Sequence, residues 1–311
     1  MIRATVLMFA GQGTQYYQMG RALHEQDPAY RAAMDRCDDA CGPVSGQAVS
    51  RLILDRPMAD TPHFNRQSEV TLALLAVGYS LAQALFARGL RPDLLLGSSF
   101  GETIASVVAG TLTLERGFAL VRAQGEVIEA TAPPGAMLAV LGAHDALRHL
   151  PEMAAAELAA VNSPRHFVLA LPPADVAPLE AALARHQVAC ARLPVQYGFH
   201  ASLIDACGPG LRALAAAYPR SAPTIPIVSC MSTGLYDHTD PGHFWQVSRR
   251  PIRFADTVKR LAADRPCRFV EAGPTGSLAT FVKQVLGPQA VAQAAINQFG
   301  NNLRTLAEIL P

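Results

Sequence analysis

Leu94-Leu95-Leu96-Gly97-Ser98-Ser99-Phe100-Gly101-Glu102, followed by Thr103-Ile104-Ala105-Ser106-Val107-Val108-Ala109-Gly110, decides how this chain is read. The apolar run reads as a buried strand, it breaks at Gly97, and a helical segment of small residues follows Gly101. Gly-x-Ser-x-Gly between a strand and a helix is the nucleophile-elbow pattern. The glycines let the backbone turn sharply enough to lift the central Ser99 hydroxyl clear of the sheet. Ser99 is then expected at a helix N-terminus, where free N–H groups and the helix dipole favour developing negative charge. A chance match in a chain of this length is roughly a one-in-ten event, and the flanking strand and helix lower those odds.

Working outward, Thr5 to Phe9 reads as a second buried strand, ended by the glycine-rich turn Ala10-Gly11-Gln12-Gly13-Thr14-Gln15. That turn lacks both the Gly-x-Gly-x-x-Gly spacing and the lysine of a phosphate-binding loop. The helix after it is expected to carry Met19, Leu23 and Tyr30. An amphipathic helix over Val70–Leu90 leads through Arg91-Pro92-Asp93 into the elbow strand, and this alternation suggests an α/β sheet. Beyond a helix around Leu120–Ala130, Pro133-Pro134-Gly135 marks a boundary. Short elements follow: strand Ala136–Leu141, helix His144–Leu158, strands Leu158–Val161 and Phe167–Leu171, helix Ala174–His186 and strand Val188–Pro194. Their order resembles a small ferredoxin-like unit inserted into a larger domain. The larger domain resumes at Gln196, with helix Leu203–Tyr218, strand Pro226–Cys230, a helix around Asp256–Ala263 and strand Arg268–Glu271; Asn297–Asn302 reads as irregular.

Composition bounds the rest. The chain has 311 residues, 50% hydrophobic and 16% charged, enough for a large core and two folding units. A net charge of +1 argues against a nucleic-acid surface. Of the six cysteines, only Cys37 and Cys41 are close in sequence, and no second pair completes a zinc site. Reduced, buried thiols are expected. Val6 to Ala10 is too short for a signal sequence, and Leu72–Phe86 reads as shorter than a membrane span, so no membrane segment and a cytoplasmic location are expected.

A serine hydroxyl needs a base that takes and returns its proton. Among nine histidines, His24, His144, His149 and His186 sit in segments that read as exposed. His238-x-Asp240-x-x-His243 reads as a solvated loop rather than a metal site, and no metal is expected. His200, in Tyr197-Gly198-Phe199-His200-Ala201-Ser202, follows a strand and precedes a helix; alone, it reads as a satisfied core histidine.

Gly11-Gln12-Gly13-Thr14-Gln15 resembles the Gly-Gln-Gly-Ser-Gln of malonyl-CoA:acyl-carrier-protein transacylases and polyketide synthase acyltransferase domains. Gly97–Glu102 resembles their Gly-His-Ser-x-Gly-Glu, and Phe199-His200-Ala201-Ser202 their Phe-His-Ser segment. Arg250-Pro251-Ile252-Arg253-Phe254 with Phe269-Val270-Glu271-Ala272-Gly273-Pro274 resembles their C-terminal signature. The matches keep the family's order over essentially the whole chain. The resemblance implies an α/β-hydrolase-like large domain, residues 1–131 and 196–311, with a small ferredoxin-like subdomain at 132–195. It implies Ser99 as nucleophile and His200 as base. The base would be oriented by a backbone carbonyl, by position that of Arg253, and backbone N–H groups of Gln12 and Phe100 would form an oxyanion hole. Asn162 and Phe199 would face the site. No cofactor would be bound; the substrate would ride on the phosphopantetheine of acyl carrier protein, or on coenzyme A.

The departures from the family are informative. Malonyl-type members carry Leu-Val-x-x-Arg-Gly, whose arginine clamps the free carboxylate; here the segment is Leu120-Val121-Arg122-Ala123-Gln124-Gly125. Gln124 occupies the clamp position. Arg122 lies two residues earlier, a rotation of about 200° on a helix, and replaces the clamp only if the helix is locally out of register. A glutamine cannot neutralise a buried carboxylate, which would cost several kcal/mol. Ser98 stands where the family commonly has histidine, and Thr71-Leu72-Ala73 where it often has Gln-Pro-Ala. The pocket is expected to take a neutral acyl chain. Resemblance to the clamp-less acyl hydrolases of trans-acyltransferase polyketide synthases points to release of acyl groups as free acids. The alternative is transfer of a non-carboxylated acyl group, or of malonyl if Arg122 serves as clamp. Acidic carrier proteins would dock on a basic patch, with Arg249, Arg250, Lys259 and Arg260 as candidates.

Overall fold

The computed structural model describes residues 3–300 and 302–309. In chain order its strands are β1 (Ala4–Phe9), β2 (Leu94–Gly97), β3 (Ala136–Val140), β4 (Glu157–Ser163), β5 (His166–Leu171), β6 (Cys190–Arg192), β7 (Ile227–Ser229), β8 (Cys267–Glu271) and β9 (Ala292–Ala294). The helices are α1 (Arg21–Gln26), α2 (Pro28–Cys41), α3 (Val49–Leu54), α4 (Gln67–Ala87), α5 (Gly101–Val108), α6 (Leu114–Thr131) and α7 (His144–Leu147). They continue with α8 (Pro173–Arg185), α9 (Gly208–Ala217), α10 (His243–Arg249), α11 (Phe254–Asp264), α12 (Ser277–Leu286) and α13 (Asn302–Glu308).

Five strands form a parallel sheet in the order β7-β2-β1-β8-β9. Because side chains alternate along a strand, β1 serves two cores. Leu7 and Phe9 enter one with Leu95 and Val270, while Val6 and Met8 enter the other with Leu96 and Phe269. Parallel strands covered on both faces read as continuous apolar runs, which is why β1 and β2 are legible in the sequence.

Helix α4 fills the first core. It was expected to be amphipathic, yet 15 of its 21 residues are buried. It is also long and apolar enough to cross a membrane, but 78% of that window is buried inside the fold, against α2, α5 and α6. Each of its buried leucines contributes about 2 kcal/mol by leaving water. The expected single helix after the first turn is instead two, α1 and α2, separated by Asp27, whose side chain accepts from the Tyr30 N–H and caps α2.

The second sheet is antiparallel, ordered β4-β5-β3-β6, with α7 between β3 and β4 and α8 between β5 and β6. This is the ferredoxin-like arrangement, and it has its own core around Leu138, Phe167, Leu169 and Leu179. The helix expected over His144–Leu158 ends at Leu147, and Glu157 and Leu158 belong to β4. Pairing of Leu158 with Leu169 overrides the helical preference of the alanine-rich stretch before it. Residues 297–300 are irregular, Asn302 opens α13, and Asn301 lies outside the described residues. All six cysteines are free thiols, four of them buried.

Candidate active site

The elbow forms where β2 stops. Ser99 has φ 56°, a left-handed conformation that a β-carbon disfavours. The flanking glycines are required by contact as well as by the turn: a Cβ on Gly97 would strike the Glu102 backbone, and one on Gly101 would strike the Phe9 carbonyl. With both positions bare, α5 packs against β1 and β2 and Ser99 sits just before its N-terminus.

The second member arrives from 101 residues away. Ser99 Oγ and His200 Nε2 are 2.7 Å apart. His200 is also left-handed, at φ 63°, and is 4% exposed. Its N–H donates to the Ser248 carbonyl at 2.8 Å, and its Nδ1 meets the Arg250 carbonyl at 3.1 Å. A carbonyl only accepts, so the ring proton belongs on Nδ1 and the Nε2 lone pair faces the serine. Burial pushes the His200 imidazole down to about 4, outweighing the raising effect of its backbone hydrogen bonds. The ring is therefore neutral, the form a base requires.

The orienting carbonyl corrects the expectation of Arg253. The Arg253 carbonyl is engaged by the first turn of α11, accepting from the Thr257 N–H at 3.0 Å and the Thr257 hydroxyl at 2.8 Å. Arg250 is the extended residue that ends α10, and its carbonyl is the one turned toward His200.

Glu102 and His243 lie beneath this pair. Glu102, fully buried, accepts from Ser229 Oγ at 2.8 Å and the Cys230 N–H at 3.1 Å. Its other oxygen is 2.8 Å from His243 Nε2. His243, expected in a solvated loop, is instead 4% exposed and opens α10, with its ring edge-on to Tyr236 at 4.5 Å. The helix after the serine is thus tied to the helix whose C-terminal end holds the histidine.

Two spaces meet at Ser99 and His200, and Gln12 and Phe199 line both. One, a narrow space, runs into the large domain between Gln67, Thr71, Phe100, Thr103, Val121 and Gln124 on one side and Leu211, Phe244, Val247 and Ser248 on the other. The second, wider space lies in the cleft between the domains, lined by Ser98, Asn162, Met137, Leu193, Ile252 and Phe281 among others. Asn162 Nδ2 is 3.2 Å from His166 Nδ1. Among the described residues, the N–H groups of Gln12 and Phe100 carry no hydrogen bond, and both residues border the space beside Ser99.

Gln124 faces the first space. Arg122 does not: α6 is continuous from Leu114 to Thr131, and the guanidinium donates to the carbonyls of Cys41 at 2.8 Å and Pro43 at 3.3 Å. Neither space has a lysine or arginine in its lining. Of the four surface cations, Arg249 is committed to Asp205 at 2.5 Å and Arg260 donates to the Thr233 carbonyl at 2.7 Å. Arg250 and Lys259 are exposed. Among the described residues, no group of three His, Cys, Asp or Glu side chains could hold a metal ion.

Residues 6–302 match the acyl transferase domain family. The chain belongs to that family. It is 32% identical over 282 residues to the polyketide biosynthesis acyltransferase homolog PksD of Bacillus subtilis (strain 168), covering 90% of this chain and 87% of that protein. It is also 33% identical over 311 residues to the polyketide biosynthesis protein ThaF of Burkholderia thailandensis, of whose length it spans only 26%, while 97% of this chain is covered. Among solved structures, the malonyl-CoA:acyl carrier protein transacylase (FabD) of Xanthomonas oryzae pv. oryzae superposes with a TM-score of 0.86 at 29% identity, covering 100% of this chain and 98% of that one. The fold and the order of elements are those of an acyltransferase domain. Gln67, Thr103, Ser248, Arg250 and His243 join the site without having been singled out for it in the sequence. Of these, only Gln67 offered a local signal, the helical spacing that places it on one face of α4 with Thr71.

Proposed function

We propose that this chain is a serine-dependent acyl-thioester catalyst of polyketide biosynthesis, that it takes neutral acyl groups from acyl carrier protein, and that it releases them by hydrolysis. The observation that carries this reading is the 2.7 Å contact between Ser99 Oγ and a buried neutral His200, opening onto a cavity in which Gln124 stands and no guanidinium does.

The geometry supports the following steps. Ser99 Oγ attacks the thioester carbonyl carbon and passes its proton to His200 Nε2. The carbonyl oxygen becomes an oxyanion facing the N–H groups of Gln12 and Phe100, each such donor typically contributing about 3–4 kcal/mol. The C–S bond breaks, the thiol leaves with the proton from His200, and an acyl-Ser99 ester remains. Water then attacks the ester, His200 takes its proton and returns it to Ser99 Oγ, and the free acid departs. The acyl chain lies in the space beside Gln124, and the interdomain cleft takes the phosphopantetheine arm. The exposed Arg250 and Lys259 are the cations left to meet an acidic carrier.

Resemblance to clamp-less members supports hydrolysis. The likeness to a transacylase favours a second reading, in which a thiol rather than water attacks the ester. Acyl-carrier protein mixed with enzyme and a second, unloaded carrier distinguishes them by intact mass spectrometry. Free acid with no acyl on the second carrier is expected; acyl on that carrier without acid release refutes hydrolysis. Malonyl consumed faster than acetyl or butyryl refutes the neutral-chain assignment, whereas Gln124→Arg is expected to raise the malonyl-to-butyryl ratio.

A further inference from the structure

The space beside Ser99 is not a plain apolar slot. Val121, Ile128, Leu211, Phe244 and Val247 give it apolar walls, but six neutral polar side chains besides Ser99 and His200 also reach it. Four have partners within the chain. The Thr71 hydroxyl donates to the Gln67 carbonyl at 2.8 Å and the Ser248 hydroxyl to the Phe244 carbonyl at 3.0 Å. The Gln12 carboxamide donates to that of Gln67 at 2.6 Å. The other two, the Gln124 carboxamide and the Thr103 hydroxyl, make no side-chain hydrogen bond among the described residues. Thr103 is only 5% exposed.

A polar group in a confined space needs a partner, and an entering chain that displaces water without replacing its hydrogen bonds is penalised. A saturated acyl chain in this space would strand both groups. A chain with a neutral oxygen would not, because a carboxamide and a hydroxyl can each donate to a ketone or accept from an alcohol. A carboxylate also offers acceptors, but it would enter a space with no cation to meet its charge. The position of the oxygen follows from Thr103, which lies in the first turn of the helix that begins just past Ser99. Four residues past Ser99 and in the lining of the same space, Thr103 is placed for the carbons near the ester rather than the distal end of a chain.

We propose that this cavity selects acyl chains bearing an alcohol or ketone close to the thioester, of the 3-hydroxyacyl or 3-oxoacyl class, with Gln124 and Thr103 as the specificity-determining partners. The proposal rests on the reading of Ser99 as the acyl-bearing residue. It is tested by competition among butyryl, 3-hydroxybutyryl and 3-oxobutyryl groups loaded on carrier protein and followed by intact mass spectrometry. The expected result is a kcat/KM advantage of about 10- to 100-fold for the oxygenated chains. Gln124→Leu and Thr103→Val should each reduce that ratio at least about fivefold. Butyryl consumed as fast as the oxygenated chains, or a ratio untouched by both variants, overturns the proposal. Labelling of Ser99 by a fluorophosphonate is the control that separates the two readings. With labelling intact, a butyryl preference removes the selectivity alone; without labelling, the assignment of Ser99 falls and takes this one with it.

Discussion

Two buried titratable groups should impose opposite pH slopes on stability. Burial pushes the His200 imidazole from 6.5 to about 4, so below pH 6.5 the unfolded chain binds a proton that the folded chain refuses. Its contribution is complete above pH 6.5 and is lost as pH falls toward 4. Glu271 behaves oppositely. Fully buried at the end of β8, it accepts from the Ala279 N–H of α12 at 2.8 Å, and its other oxygen has no partner. Desolvation lifts its carboxyl from 4.5 to about 7, outweighing the lowering effect of the backbone N–H groups of Ala279, Leu278 and Gly276. The folded chain therefore holds a proton that the unfolded chain releases, and this contribution is lost as pH rises from 4.5 to 7. At 1.36 kcal/mol per unit, each effect amounts to about 3 kcal/mol. Between pH 4.5 and 6.5 they nearly cancel. Urea melts at half-unit steps from pH 4 to 7.5, on wild type, His200→Gln, Glu271→Gln and the double variant, separate them. The stability of wild type minus His200→Gln should rise by about 3 kcal/mol from pH 4 to 6.5, and that of wild type minus Glu271→Gln should fall by about 3 kcal/mol from 4.5 to 7. Flat difference curves, or two slopes of the same sign, would refute the assignment of burial as the dominant cause. The same depression places the acid limb of Ser99 labelling near pH 4, not 6.5.

Two further predictions concern the supports of the pair. Ser99→Gly and Ser99→Ala should both abolish acyl release, but the glycine variant should be more stable by about 1 kcal/mol in thermal melts, because it relieves the φ of 56°. His243→Phe should lose about 3 kcal/mol by leaving a Glu102 oxygen without its donor. It should also slow fluorophosphonate labelling of Ser99, because α10 carries the groups that hold His200; His243→Gln should recover part of both.

What the sequence made legible is what depends on short range. β1 and β2 are apolar runs closed by glycines, and the elbow follows from residues within one turn of each other. The ferredoxin-like order could be read from alternating short elements. What escaped depends on contacts between distant segments. The tie between Glu102 and His243 spans 141 residues, and His243 looks polar and loop-bound until α10 folds onto Tyr236. Arg250 could not be told from Arg253 by residue type, since the group that matters is a carbonyl. Its direction is set by the end of α10 and by Thr257 claiming the alternative. The stretch His144–Leu158 is not one helix for a related reason: the local preference of its alanines is outweighed by pairing of Glu157 and Leu158 with β5.

Gln124 and Arg122 show where local reasoning suffices. Two residues apart on a continuous helix, they point about 200° from one another. One therefore reaches the space beside Ser99, while the other is spent on the carbonyls of Cys41 and Pro43. Recruiting Arg122 as a clamp would require turning α6 by roughly half a revolution and breaking both of those bonds, while moving Val121 and Ile128 out of the cavity wall. A single side-chain exchange at position 124 achieves the same change of charge with no movement of the backbone. The charge of this cavity wall is thus set by which residue occupies one helical phase, and the presence of an arginine elsewhere in the motif does not restore a cation to it.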